Sequence, residues 1–474
     1  MHGGTHAAGA LTGACIADPG GAPWTATAMQ DLTQLSGRRL LIWGFGRHGG
    51  GLAAGRWAAS HGAQVAILEQ RPADEFGPAG AEALARGWSW HVGDARHAAF
   101  AAAELIVASP AIPPRAWPAE HPPRTSPEAL FFAHHAGPRI AVTGTKGKST
   151  TTNITASLLG WGVAGNSHEP LLEWLMRSGA HAPLVCELSS FQLWYLKDAP
   201  PHFDIAIFTS FAKDHLDWHP SLEHYRATKL ALLTWATSCV VAPEMEMMAL
   251  RSAARLSKIV HVSGDFRAAD GHVLARREDL GLPGDHNARN ACLAISAALR
   301  MGVRESELPA RLRQVTGLPH RLEFVHEESR DGATWRYIND SIATTPESAI
   351  AGMNAITGPL AIILGGSDKG AEFVELAAAT ARRGASPVVM GQTAPPIAKA
   401  LALYGLRPLT ALSMEEAVLL AKALLPKGGS VLLSPACASF DMFNGFEDRG
   451  RCFIAAARGE QALQPSARGA TENG

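Results

Sequence analysis

Arg139-Ile140-Ala141-Val142-Thr143-Gly144-Thr145-Lys146-Gly147-Lys148-Ser149 joins a short apolar run to a glycine-rich turn. A strand that enters such a turn and continues as a helix points backbone N–H groups and a helix N-terminus at one spot, which suits a polyphosphate. Lys148 adds a charge for the β- and γ-phosphates, and Ser149 a hydroxyl for Mg2+. Two residues separate the glycines where the usual P-loop has four, so the motif is a shortened variant.

Composition narrows the setting. The 474 residues allow two to four domains, and 47% apolar content supplies several cores. Basic and acidic residues nearly cancel, 42 against 43, so no overall field argues for nucleic acid or a membrane surface. The six cysteines are scattered without CxxC pairs, which predicts reduced thiols and argues against structural zinc. No apolar run reaches bilayer length, and the start lacks a secretory pattern, so the expected location is cytoplasmic. Residues 1–28 read as a disordered leader, with Met29 an alternative start, and the polar end from Gln464 reads as frayed.

Three strand–helix blocks follow, predicting an α/β protein of mostly parallel sheets. In the first, Arg39 to Trp43 is a buried strand, and Gly44-Phe45-Gly46-Arg47-His48-Gly49 matches GxGxxG before an Ala-rich helix ending near His61. The next strand, Gln64 to Leu68, ends on Glu69, about where an acid follows such glycines to bind a ribose. Alone, this block fits a nicotinamide-dependent oxidoreductase or another pyrophosphate-bearing nucleotide.

The second block carries the phosphate loop and strands at Pro183 to Glu187, Ile205 to Thr209 and Ser238 to Ala242. Ligands gather at the carboxyl ends of such strands, where Glu187-Leu188-Ser189-Ser190-Phe191-Gln192 and Asp214-His215 fall. Glu187 is a hard oxygen donor for Mg2+, or else a helix-terminal carboxylate. His215, His219 and His224 could suggest a transition metal, but Asp217 to Pro220 reads as a turn and no cysteine completes the shell. Lys229 shares a helix face with Tyr225 and Leu233. Asn287 is a candidate N-cap of the helix running to Met301, and Asn290 offers an amide to an adenine edge. The third block has strands at Tyr337-Ile338, Leu360 to Leu364, Pro387 to Met390 and Ser430 to Leu433. Its polar loops are Asn339 to Ser341, Gly365 to Gly370 and Ser434 to Phe440.

Gly144 to Ser149, Glu187 to Gln192, Asp214-His215, Tyr225 to Lys229, His286-Asn287 with Asn290, Pro319-His320-Arg321, Asn339 to Ser341 and Ser434 to Ser439 together resemble the Mur ligases, most nearly the MurD type. The resemblance runs in order from about Arg39 to Ala457. It implies a Rossmann-like N-terminal domain over 29–122 that binds a uridine diphosphate sugar and a central P-loop ATPase domain over 123–317. A Rossmann-like α/β C-terminal domain over 318–474 would close on the amino acid. The glycine turn then serves a UDP pyrophosphate and no nicotinamide is used.

By the same resemblance, Gly144, Thr145, Lys146, Gly147, Lys148, Ser149 and Thr150 hold ATP, with Asn290, Arg321 and Asp340 at adenine, phosphate and ribose. Ser149 and Glu187 serve one Mg2+, and His215 with a carbamylated Lys229 a second. Gly46, Arg47, His48, Glu69, Gln70, Arg71, Asn166, Ser189 and Gln192 line the site of UDP-N-acetylmuramoyl-L-alanine. The implied chemistry is an acyl phosphate attacked by an amine, with Lys148, Lys146 and His215 near the developing charge.

The amino-acid pocket departs from the pattern. D-glutamate-adding relatives carry a lysine after Asn339-Asp340-Ser341, where this chain has Ile342-Ala343-Thr344-Thr345. A lost charge-assisted contact is worth about 1.5–3 kcal/mol and alters how glutamate sits. Lys369, Ser439, Phe440 and Phe446 remain at other pocket positions, so an acidic amino acid is expected. The stretch is more similar to the branch that adds L-glutamate, whose product a separate epimerase inverts; D-glutamate is the alternative, and a non-catalytic UDP-sugar- and ATP-binding partner a remoter one. A folylpolyglutamate-synthetase-like enzyme lacks the GxGxxG block and the Ser434 to Ser439 motif. A monomer is expected.

Overall fold

In the computed structural model, residues 35–46, 49–93, 96–245, 261–282, 284–317, 319–368 and 370–460 are described. The leader, Met29, Arg47, His48, Lys369 and the tail from Gln464 lie outside them. The chain divides into two compact units, one comprising residues up to Leu274 together with Asn290–Leu308, the other Ala275–Arg289 and the chain from Pro309 on.

The first unit holds two parallel five-stranded sheets. Strands β1 (Arg39–Trp43), β2 (Gln64–Glu69), β3 (Ser89–Val92), β4 (Leu105–Ala108) and β5 (Arg124–Thr125) order as β3-β2-β1-β4-β5. Strands β6 (Arg139–Thr143), β7 (Gly162–Gly165), β8 (Leu184–Glu187), β9 (Phe203–Phe208) and β10 (Ala236–Val241) order as β10-β9-β6-β8-β7. The apolar runs of β1, β6 and β9 are buried on both faces, as parallel strands under helices require. One hydrophobic cluster passes from Leu40 and Ile42 through Phe131 and Trp174 to Ile205 and Phe208, so both sheets share a core.

The helices that matter for function are α1 (Gly50–Ser60), α2 (Pro127–His134), α3 (Lys148–Leu159), α4 (Ser190–Leu196), α5 (Leu222–Thr234) and α6 (Asp285–Arg300). Helix α5 begins before Tyr225 because Ser221 caps it, its hydroxyl accepting from His224 N. Asn287 is not the cap of α6: the helix opens at Asp285 after Gly284 at φ +86, and Asn287 N already bonds Gly284 O within the first turn. A small sheet of β11 (His261–Ser263), β12 (Asp265–Arg267) and β13 (Val273–Ala275), with β11 and β12 antiparallel, is too short for a period-2 pattern to register and was not anticipated.

The second unit is built on a six-stranded sheet of β14 (Glu323–Arg330), β15 (Ala333–Asn339), β16 (Leu360–Leu364), β17 (Ser386–Met390), β18 (Leu409–Ala411) and β19 (Gly429–Leu433), ordered β14-β15-β19-β16-β17-β18. Its inner strands are parallel and β14 is an antiparallel edge, with a register shift between Phe324 and His326. The charged sequence of β14 hid it from the apolar pattern, and its charges suit an edge. The α/β expectation holds throughout.

Ile207, fully buried in β9 beside β6, tests the core beneath the phosphate loop. Ile207→Ala is expected to cost about 3 kcal/mol by transfer and cavity terms, read as a lowered denaturant midpoint of the first unit.

Candidate active site

The phosphate loop follows from its glycines. Gly144 leaves β6 at φ +148, and a methyl there would lie 2.0 Å from Thr209 Oγ1. Gly147, at φ +85, caps α3, and a methyl there would lie 2.5 Å from Asn290 Oδ1. The end of β9 pins the loop between them: Thr145 N donates to Ser210 O at 2.8 Å and Lys146 N to Ser210 Oγ at 2.8 Å. Thr209 Oγ1 and Ser210 Oγ donate back to Lys146 O at 2.5 and 2.9 Å. Lys148 opens α3 with Nζ 3.1 Å from Thr145 O, while Ser149 and Thr150 are buried in the first turn. First-turn amides lack intrahelical acceptors, so the loop is an anion site.

Lys229 lies against the same loop. It is 1% exposed, and its Nζ donates to Gly144 O at 2.8 Å and Thr143 Oγ1 at 3.4 Å, 5.1 Å from the centre of the Tyr225 ring. Burial, helped by the charge of Lys148, pushes its pKa well below the ordinary lysine value. Tyr225 hydroxyl in turn meets Thr145 Oγ1 at 3.0 Å.

Glu187, fully buried at the end of β8, faces the loop from the other side. Asn166 Nδ2 and Ser167 Oγ donate to its Oε1 at 2.8 and 3.2 Å, and His168 Nε2 stands 3.3 Å from Oε2. Burial alone would raise this carboxyl; His168, the charge of Lys148, Ser149 and Asn166 outweigh it and hold the pKa down to about 2. Oε2 lies near His168 and has no well-aligned hydrogen bond, and Ser149 is the other hydroxyl acting on this carboxyl. These two oxygens fit Mg2+; an unmodified lysine amine does not, and a carbamate on Lys229 would.

His215 follows β9 in a left-handed turn, φ 53, its ring edge-on to Phe191 at 4.9 Å and Nε2 3.6 Å from Asp214 Oδ2. Burial lowers its pKa, and the charges of Lys229 and Lys148 reach it. His219 is spent elsewhere, on His224 Nδ1 at 2.8 Å and Ser190 Oγ at 2.9 Å. Among the described residues no group of three His, Cys, Asp or Glu is placed to hold a metal ion. The described cysteines are free.

A cavity of about 320 Å3 lies between the two sheets of this unit, lined by Gly44 to Gly46, Ser109, Asn166, His168, Ser189 and Gln192. It unites the glycine turn, Gly46 included, with the residues after β8. Glu69 closes back on that turn, Oε2 accepting from Phe45 N at 2.9 Å and Gly46 N at 3.3 Å, and Oε1 from Gln70 N at 2.7 Å. Its carboxylate shapes the turn. Gln70 is exposed, and the Arg71 guanidinium lies 5.0 Å over the Phe76 ring.

In the second unit, Asp340 is 5% exposed after β15, accepting from Ser434 Oγ at 2.7 Å and Leu322 N at 3.2 Å; burial raises its pKa to about 6. Arg321, exposed, directly precedes Leu322 in the chain. Ile342 and Thr344 are half-buried on the loop after β15, Ser439 is buried, Phe446 opens the helix α7 (Phe446–Arg458), and Phe440 is 51% exposed.

Two family models match this chain, the Mur ligase middle domain over residues 142–298 and the Mur ligase glutamate ligase domain over 320–437. The UDP-N-acetylmuramoylalanine–D-glutamate ligase of Pelotomaculum thermopropionicum is 34% identical over 455 residues, 90% of this chain and 98% of that protein. The chain belongs to the Mur ligase family. The enzyme of the same name from a Roseiflexus species is 34% identical over 464 residues, 89% of this chain and 98% of that protein. The Thermotoga maritima UDP-N-acetylmuramate–alanine ligase shares the fold, with a TM-score of 0.59 at 18% identity over 89% of this chain and 99% of that one. This Mur ligase is thus an ATP-dependent acid–amino-acid ligase of peptidoglycan precursor synthesis.

Sequence reasoning missed Ser167 and His168. Their position after Asn166, two strands from the phosphate loop, gave no signal until β7 was paired with β8. The acid limb of stability tests the Glu187 environment. Its folded pKa of about 2 lies below the ordinary 4.5, so its contribution, on the order of 3 kcal/mol, is present above 4.5 and is lost as pH falls toward 2. Glu187→Gln should melt below the parent protein at pH 6, with the gap closing toward pH 2.

Proposed function

We propose that this ligase joins L-glutamate to the alanyl carboxylate of UDP-N-acetylmuramoyl-L-alanine. ATP first phosphorylates the carboxylate; the glutamate amine then attacks the acyl phosphate, and phosphate leaves from the tetrahedral intermediate. A free carboxylate is a poor acyl donor, which is the reason for the ATP. The loop amides with Lys148 and Lys146 carry the transferring phosphoryl charge, and His215 stands near it. Mg2+ at Ser149 and Glu187 would neutralise phosphate oxygens. The lowered pKa of Lys229 favours the neutral amine, the form that adds CO2 with loss of a proton to become a carbamate, an oxygen donor for a metal ion.

On this reading the three parallel-sheet regions act as domains over 29–122, 123–317 and 318–474, binding UDP-sugar, ATP and amino acid in turn. The cavity between the first two sheets takes the UDP-linked acceptor, with the amides of Phe45 and Gly46 turned by Glu69. Asn290, which packs on Gly147, faces adenine, and Arg321 and Asp340 take phosphate and ribose. Thr344, Ser439, Phe440 and Phe446 surround the glutamate. The enzyme works as a cytoplasmic monomer and hands its product to an epimerase.

Ile342 carries the choice of L-glutamate. It is half-buried on the loop directly after Asp340-Ser341, and by resemblance it stands where D-glutamate-adding enzymes carry a lysine for a substrate carboxylate. D-glutamate is the second reading, favoured by the names of the relatives. Purified protein with ATP, Mg2+ and UDP-N-acetylmuramoyl-L-alanine should release phosphate with L-glutamate at least tenfold faster than with D-glutamate, a gap of about 1.4 kcal/mol. Ile342→Lys should narrow it. Turnover with D-glutamate alone would refute the L-assignment while leaving the ligase reaction intact.

A further inference from the structure

Glu128 is the second residue of α2, 6% exposed, on the wall of the 320 Å3 cavity. Nothing above assigns it a task. Its Oε1 accepts from Gln192 Nε2 at 2.9 Å, whereas its Oε2 is buried with no hydrogen-bond partner. A buried carboxyl oxygen left unpaired is unfavourable, and native proteins keep such groups where a ligand completes them. Gln192 cannot turn to satisfy it, and the other polar group near the carboxyl is the Ser126 hydroxyl, whose oxygen accepts from Ala129 N. Gln192 is locked by its own Oε1, which accepts from Ser189 N at 2.8 Å and Ser189 Oγ at 3.1 Å. That lock fixes Nε2 on Glu128, so Glu128 Oε1 must remain an acceptor and Oε2 is the free valence.

We infer that Glu128 is a specificity-determining residue for the acyl acceptor, its Oε2 receiving an amide N–H of the sugar–peptide substrate inside the cavity. The inference rests on the proposed acceptor site and names one of its polar contacts. The rest of that wall is mostly small or apolar, including Pro110, Ala111, Pro170 and Leu171. A carboxyl in such surroundings rejects an analogue lacking the donor, because its oxygen is then buried unpaired. Burial raises the pKa of Glu128 against the lowering effect of Gln192 and Ser126, and an amide N–H at Oε2 would favour its ionised, accepting form.

Glu128→Gln gives the sign. Since Gln192 Nε2 still needs an acceptor, the new amide must put oxygen on that side and NH2 at the former Oε2, where it meets an N–H donor to donor. Steady-state kinetics and calorimetry on Glu128→Gln and Glu128→Ala, with thermal melting as a control, test this. Both variants should raise KM and Kd for UDP-N-acetylmuramoyl-L-alanine about tenfold or more, with KM for ATP unchanged and Glu128→Gln melting like the parent. Unchanged acceptor affinity in both would overturn the assignment. So would a neutral Glu128→Gln beside an impaired Glu128→Ala, which would make Glu128 a hydrogen-bond donor to a carbonyl. A parent protein that does not bind the UDP-linked acceptor would overturn the acceptor site itself.

Discussion

The contact on which the site depends is the buried amine of Lys229 against the carbonyl of Gly144. It joins α5 to the point where β6 becomes the phosphate loop, and it exists only because Gly144 adopts a backbone conformation closed to side chains. An amine buried among Thr143, Gly144 and Tyr225 loses hydration that two hydrogen bonds do not fully replace, so its proton is held weakly. The same burial fixes the loop: Tyr225 braces Thr145 on one side while Thr209 and Ser210 hold Lys146 on the other. A phosphate cradle built this way is preorganised before nucleotide arrives.

Topology decides what surrounds the cradle. Strand β6 is the centre of its sheet, with β8 and β9 on either side, so the loops after all three converge at one carboxyl edge. From β8 comes Glu187 and from β9 come Ser210, Asp214 and His215. The first sheet repeats the arrangement: β1 lies between β2 and β4, and its glycine turn receives Glu69 from β2. The first unit thus carries two crevices of one kind.

Much of this was legible in the chain. Glycines with a following Lys-Ser announced the phosphate loop, and apolar five-residue runs announced buried parallel strands, because backbone constraint and burial both leave local marks. Groups that act through distant partners left none. His168 reads as an ordinary loop residue until β7 pairs with β8, and Glu128 as a helix N-terminal acid until Gln192 is seen on it. Glu69 matched a ribose-binding pattern by spacing, yet its carboxylate turns onto Phe45 and Gly46, since spacing fixes position along the chain and not side-chain direction. Strand β14 was invisible because an edge strand's charges erase the apolar alternation.

The loop after β15 shows how a single position can change its charge without disturbing shape. Arg449, 1% exposed, donates from Nε to Ser341 Oγ at 3.0 Å, from Nη2 to Ser341 O at 2.9 Å and from Nη1 to Ala438 O at 3.2 Å. Burial pulls its pKa down to about 10, still charged at neutral pH, and no carboxylate is among these contacts. The main chain of the next residues is tied separately, Ile342 N to His320 O and Ala343 N to Asp340 O. With the backbone clamped on both sides, the side chain at 342 can change between aliphatic and cationic while its neighbours keep their places. The charge at position 342 is then a variable independent of loop geometry, and on the proposed reading a shift in glutamate preference on changing it reports electrostatics.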